Sequence, residues 1–573
     1  MTAEAPAKRK KKPKPDEARQ AAQQQLRIAA TGAPHLAHYL RQLAEDGLAE
    51  PDYYEEIDRK MSFADKKNLI YRVDADIYVH ILSDDDDARD SYVAIDPAML
   101  EDLTPFVKLV EAVLLDYVDL LEAAQDDEEK RQVLLRAVEE NIQISEHPKP
   151  KTSSRGSKGF KRFGRKGSDD STIYCTPEQA EALRYVIVRD KIGMGILEPL
   201  IRDAHIEDIS CSGLGHLFIE HKIFKALKAS IVFTEMEELD SFVVRLSEKI
   251  KKPVTFRNPI SDAILPDGSR INIVYGGDVS TRGSNFTIRK FTAVPLSILD
   301  IIDSGGISFE MAAYLSLMVQ EGMNFFVSGE TASGKTTLLN ALTCFYEPDA
   351  KIVSIEDTPE LQVPHPNWIR EVVRGSMSAE DSSVTMFTLL KAALRQRPNA
   401  IIVGEIRGEE GAIAFQAMQT GHAVAATFHA SSVEKLIQRL TGNPINVPKT
   451  YVDNLNIVCI ASAVRLPNGK LGRRILSINE LIGYDSGADA FSFIETYRWN
   501  SYNDTFEATG TMNSYLLEQQ IAPRKGLDPQ NKRAIYDEVD RRAQLFERLL
   551  KAGRTNFFDL YKAFSQAQRQ GLI

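Results

Sequence analysis

Residues able to do chemistry are concentrated between Gly322 and Ala430. Gly329-Glu330-Thr331-Ala332-Ser333-Gly334-Lys335-Thr336 fits the pattern G-x-x-x-x-G-K-[ST], and Thr337 follows it directly. The residue types suit a phosphate. Glycines let backbone amides turn inward onto phosphate oxygens, lysine adds charge, and the Thr336 hydroxyl can ligate Mg2+. The context fits as well. Met323 to Val327 is an apolar run that predicts a buried strand, and Thr337 to Leu342 predicts a helix with partial positive charge at its N-terminus. Gly329 through Thr337 is therefore expected to grip a nucleoside triphosphate.

Cleaving a phosphate also needs a metal, a group that orients or deprotonates water, and positive charge on the transition state. Acids at the ends of strands beside the loop are the places to look, because such ends form the ligand crevice. Glu356-Asp357 closes a predicted strand over 351–355, with Glu360 shortly after. Glu405 closes the apolar run Ala400 to Gly404. His422 and His429 bracket a further predicted strand, 423–428. Their odd spacing puts them on opposite strand faces. That argues against a metal site, and for sensing phosphate or holding a subunit interface.

The elements that must position these groups follow from the rest of the chain. At 573 residues it is too long for one core, so about three or four domains are expected. A net charge of −11 does not favour a general nucleic-acid binder. No uncharged apolar run is long enough to cross a membrane, and the Lys-rich start has no apolar segment after it, unlike a secretory signal. Cys175, Cys211, Cys344 and Cys459 lie far apart without CxxC spacing, which suggests reduced core thiols in a cytoplasmic protein.

In order, the expected parts are a basic disordered tail (1–16) and an N-terminal α+β, partly helical domain (17–145). A basic Gly/Ser-rich linker (146–172) leads to a middle α+β domain (173–300), an α/β nucleotide core (301–485), and a strand pair with a helical tail (486–573). The tail reads as a solubilising leader or an anionic-membrane contact. The linker, with Phe160 and Phe163 among its lysines and arginines, reads as a spacer or as a lipid, nucleic-acid or partner contact. Asp84 to Asp87 reads as a solvated hairpin turn. Phe106, Val110, Val113, Leu114, Tyr117 and Leu121 predict one long amphipathic helix. On position alone, Arg270 and Arg289 read as solvated surface residues.

Taken together, the boxes resemble the secretion ATPases of type II and type IV systems, including pilus and archaellum motors. The residues that carry the resemblance are GETASGKTT, the aspartate box Ile355-Glu356-Asp357-Thr358-Pro359-Glu360, the Walker B box Gly404-Glu405-Ile406-Arg407 after Leu394-Arg395-Gln396-Arg397-Pro398, and the histidine box TGHAVAATFHA. PDGSRIN and FTIRKF resemble family elements as well. LKAALRQRP, PHPNWI and NPINVPKTYVDNLNI look like the archaeal branch, closest to the archaellum motor. Asn399 stands where many members carry Asp, and Gly408-Glu409 where bacterial members commonly have Asp after the arginine.

The resemblance implies a RecA-like phosphate-loop core, a PAS-like middle domain and a homohexameric ring. It implies ATP and Mg2+, the metal held by Thr336 and Glu405, and Glu356 as the general base, a role that sequence does not separate from that of Glu405. Arg270, Arg289 and Arg395 would stabilise charge at the γ-phosphate, and His429 would couple the site to its neighbour. The implied partners are a polytopic membrane platform protein and accessory motor proteins at the inner face of the cell membrane, with anionic lipid contact and no nucleic acid. The implied output is archaellum assembly and rotation; pilus assembly or secretion is the alternative, and a nucleic-acid translocase or a scaffold without turnover lies further off.

Overall fold

The structure, a computed structural model, describes residues 15–57, 61, 66–84, 87–100, 103–145, 172–291, 294–374, 383–509 and 513–571. The basic tail and the basic linker thus lie outside the described residues, save 15–16 and 172, as do Asp85 and Asp86 of the aspartate run. Two compact units divide the chain, Met1–Phe291 and Thr292–Ile573.

The first unit is built on a ten-stranded sheet. Its first four strands are β1 (Asp52–Tyr54), β2 (Asn68–Asp74), β3 (Ile77–Leu82) and β4 (Ser91–Ile95). A small parallel pair follows, β5 (Ile142–Ile144) and β6 (Ile173–Cys175). The large sheet resumes with β7 (Ile206–Cys211), β8 (Gly215–His221), β9 (Lys225–Phe233), β10 (Ile260–Ile264), β11 (Arg270–Val274) and β12 (Asn285–Arg289). The spatial order is β1-β2-β3-β4-β9-β8-β7-β12-β11-β10.

The N-terminal and middle parts, expected as separate domains, therefore share one sheet. β4 pairs in parallel with β9 through Ser91–Lys228 and Tyr92–Ala229. A buried polar cluster reinforces the join: the Tyr71 and Tyr92 hydroxyls donate to Asp203 at 2.5 and 3.0 Å. The single long helix expected through 106–121 is interrupted. It runs Thr104–Leu114, tightens into a 3-10 turn over Leu115–Tyr117, and resumes as Val118–Ala123. The break falls where the apolar stripe leaves the core and Leu115 emerges 72% exposed.

The second unit is a nine-stranded α/β sheet. Its strands are β13 (Phe325–Gly329), β14 (Ile352–Glu356), β15 (Trp368–Val372), β16 (Ala400–Val403), β17 (Ala423–Phe428), β18 (Ile457–Arg465), β19 (Leu471–Asp485), β20 (Ala490–Asn500) and β21 (Thr505–Ala508). In space they run β15-β14-β16-β17-β13-β18-β19-β20-β21, parallel as far as β18 and antiparallel beyond. β13, β14, β16 and β17 are buried at every residue, because helices cover both faces.

Alternation along these strands sorts the core in two. Phe325, Val327, Ile352, Ala400, Ile402 and Ala425 face one cluster, while Phe326, Val353, Ile401, Val403, Val424 and Ala426 face the other. The part expected as a separate C-terminal tail is integral to this unit. β20 and β21 extend the sheet, and the helices Ile535–Lys551 and Phe557–Arg569 bring Phe546 and Phe564 onto Phe345, with ring centroids 5.7 and 4.8 Å away. Without them that apolar face would meet water. All four cysteines are buried and unpaired. Among the described residues, no helix is long and apolar enough to cross a membrane.

Candidate nucleotide-binding site

β13 delivers the loop, and the helix Lys335–Leu342 receives it. Two glycines are required by close packing and backbone shape. A β-carbon on Gly329 would lie 2.1 Å from the Ala461 carbonyl oxygen of β18, so only glycine lets the chain turn there. Gly334 has φ +91°, a left-handed conformation that costs glycine little. Ala332, at φ +61°, adopts the same region with a side chain and carries local strain. The Ser333 hydroxyl donates to the Glu330 carbonyl at 2.8 Å and closes the turn. The first amides of the following helix have no intrahelical carbonyl to bind, so they and the helix dipole favour an anion.

Lys335 is only 7% exposed. Its ammonium donates to the Glu330 carbonyl at 2.8 Å and lies 3.4 Å from His429 Nδ1. Burial pulls its pKa down, while the Glu405 charge works against that. Glu405 follows the end of β16 and His429 the end of β17, neighbouring parallel strands that finish at one edge. His429 Nε2 stands 2.9 Å from Glu405 Oε1, and Glu405 Oε2 accepts from Arg407 at 2.8 Å. Burial raises the Glu405 pKa, but the Arg407 hydrogen bond and the charges of His429, Arg407 and Lys335 outweigh it and hold the carboxyl below its ordinary range. His429 is pushed below its usual value by burial, with Glu405 opposing. A neutral imidazole that accepts from Lys335 at Nδ1 carries its proton on Nε2, facing Glu405.

Glu356 ends β14 behind this row. It is 1% exposed, and its Oε1 accepts the amides of Glu360 and Leu361 at 2.8 and 2.9 Å. Its Oε2 lies 3.4 Å from Arg370 Nε on β15. Burial raises its pKa against those contacts. A β-carbon on Gly404 would come within 3.2 Å of the Glu356 side chain, so glycine there lets β16 pass over it.

The structure thus brings Lys335, Glu405 and His429 together, with Glu356 beneath. It does not do so for Arg395. That arginine sits in the turn between the helix Met386–Ala393 and the start of β16, whereas Glu405 follows the far end of the strand. Four strand residues separate the two edges by roughly 13 Å, so Arg395 is out of reach of the loop of its own chain. Arg270 and Arg289 belong to the first unit, where they pair across β11 and β12, both exposed. His422, at the start of β17, lies at the edge opposite His429 and stands 3.0 Å from the Thr420 hydroxyl. Two residues inside the sequence boxes gain partners in the structure. Arg407 clamps Glu405 and also lies 3.5 Å from Asp357, and exposed Glu360 contributes to the field at Lys335. The four-residue step from Glu356 to Glu360 across a proline was the available signal for the second.

Fold and loop define an α/β phosphate-loop protein. Residues 190–463 match the family described as type II/IV secretion system protein. An uncharacterized protein of Methanocaldococcus jannaschii is 40% identical over 554 residues, covering 96% of this chain and 98% of that one. The type IV secretion system protein PtlH of Bordetella pertussis is 31% identical over 267 residues, covering 43% of this chain and 78% of PtlH. The crystal structure of the VirB11 ATPase from the Brucella suis type IV secretion system aligns over 49% of this chain and 92% of that chain, at 25% identity and a TM-score of 0.25. The chain belongs to the type II/IV secretion system family.

Proposed function

We propose that this protein hydrolyses ATP and converts the cycle into work on a membrane assembly. The observation that carries the reading is the row Lys335, His429, Glu405 at the phosphate loop, with Lys335 Nζ 3.4 Å from His429 Nδ1 and His429 Nε2 2.9 Å from Glu405 Oε1. The Glu405 carboxylate and the Thr336 hydroxyl are hard oxygen donors of the kind Mg2+ takes and would hold it; when bound it would neutralise charge on the β- and γ-phosphates. Lys335 and the helix amides hold the phosphates. Glu405 would hold the metal and help orient the attacking water, and His429 links Lys335 to Glu405 through its two ring nitrogens. Glu356 sets the turn that presents Glu360 and keeps the second carboxylate in reserve as a base.

Arg270, Arg289 and Arg395 are proposed to act on the site of a neighbouring subunit, in keeping with a homohexamer. Motif resemblance supports archaellum assembly and rotation as the output, acting on a polytopic platform protein at the inner membrane face, with pilus assembly or secretion as the alternative. Phosphate release tests the core of this. Wild-type turnover well above that of Lys335→Ala is expected, and equal rates would remove the enzyme reading. Membranes from the native host, probed with Lys335→Ala as a trap, should return a polytopic platform protein.

A further inference from the structure

The phosphate loop has a second neighbour. A hairpin turns at Asn468-Gly469, and β19 runs back beside β18 with Arg473 opposite Ala463 and Arg474 opposite Ser462. Successive strand residues point to opposite faces, and these two arginines have different fates. Arg474 is 5% exposed and grips Asp504 through two hydrogen bonds of 2.7 Å, while also donating to the Ser304 carbonyl at 3.2 Å. That anchor fixes the strand. Arg473 turns the other way, and its Cδ lies 3.4 Å from where a β-carbon on Gly334 would sit. It is exposed, and among the described residues its guanidinium has no ion pair or hydrogen bond. An arginine without a partner is thus held against the glycine of the phosphate loop.

Sheet order decides which end of a nucleotide it would meet. β13, which carries the loop, stands between β17 and β18. Glu405 and His429 follow β16 and β17 on one flank, and Arg473 stands on β19 on the other. A nucleotide whose terminal phosphate lies at Lys335 beside Glu405 therefore extends its α-phosphate toward β18 and β19. We propose that Arg473 binds the α-phosphate end of the nucleotide, a contact made alike with triphosphate and diphosphate. The guanidinium suits this, since its forked donors match two phosphate oxygens and its charge needs no desolvated partner in the protein. The proposal rests on the reading that the loop binds a nucleotide.

Calorimetric titration of the full chain with ADP and with a nonhydrolysable ATP analogue tests it. Arg473→Met keeps the aliphatic stem against Gly334 and removes the charge. It should weaken both ligands by the same factor, on the order of ten- to a hundredfold, and raise KM while leaving kcat. Arg473→Lys should recover part of the loss. A methionine variant that binds both ligands like the wild type, or that loses only the triphosphate analogue, overturns the assignment. If the wild type itself takes up neither ligand, nucleotide binding falls, and this contact with it.

Discussion

Replacing Glu405 by Gln separates what the residue does for the fold from what it does for chemistry. Its carboxylate lies 2.8 Å from Arg407, whose side chain is 65% exposed. An ion pair that open to water contributes about 0.2–1 kcal/mol, and the amide still accepts from the guanidinium. Thermal stability should therefore move by less than about 1 kcal/mol. ADP affinity should hold, because the phosphate contacts come from Lys335 and the helix amides. Turnover should fall by about 10²–10³, the usual cost of removing one preorganised charge from a reacting centre. Phosphate release at saturating ATP, ADP calorimetry and a thermal melt read the three quantities separately. A variant whose kcat stays within threefold of wild type, with binding intact, would refute the assignment of Glu405 to the reaction. A variant that simply unfolds would refute the stability argument.

Three further outcomes are expected. His429 has its pKa lowered by burial, so it is neutral at pH 7; as a group with a depressed folded value, its contribution to stability is present above about 6.5 and is lost as pH falls through the folded value. Activity should have an acid limb at a pH lower than an ordinary histidine would give, as the ring charges beside Lys335, and His429→Gln should abolish that limb in a pH–rate profile. Asp203→Ala leaves the buried hydroxyls of Tyr71 and Tyr92 without their carboxylate and should cost about 2–4 kcal/mol in urea unfolding, with a single transition for the first unit; separate transitions would contradict the shared sheet. Gly329→Ala should abolish ADP binding in calorimetry while the chain stays folded by circular dichroism, because the new methyl would meet the Ala461 carbonyl within 2.1 Å.

What sequence could and could not announce follows from the range of the interactions. β17 occupies the span expected of it, 423–428, and β16 lies within the apolar run from Ala400 to Gly404, because continuous apolar runs between polar residues leave one choice for a strand buried on both faces. β9 went unread. Its nine residues include two lysines, and its burial alternates irregularly. What makes it a strand is pairing with β8 and with β4, far earlier in the chain. The separation of an N-terminal from a middle domain failed for the same reason: pairing across such a distance leaves no local pattern.

The candidate site divides along the same line. A phosphate loop is legible because its geometry forbids side chains at fixed positions, as the Gly329–Ala461 contact shows. The resemblance implies a role for Arg395 at the γ-phosphate, but a strand carries its two ends to opposite edges of a sheet, which takes Arg395 away from the loop of its own chain. Arg473 has the converse history. Nothing in its local sequence distinguishes it from a solvated hairpin residue, and it reaches the loop only because buried Arg474 pins β19 to Asp504 and Ser304. Charge placed by a neighbouring anchor is a tertiary fact. On the proposed reading it also divides labour along the nucleotide, with groups after β16 and β17 at the bond that breaks and the hairpin beyond β18 at the part that stays. On that reading Arg473 holds the diphosphate that remains after hydrolysis, while Glu405 sets the chemistry.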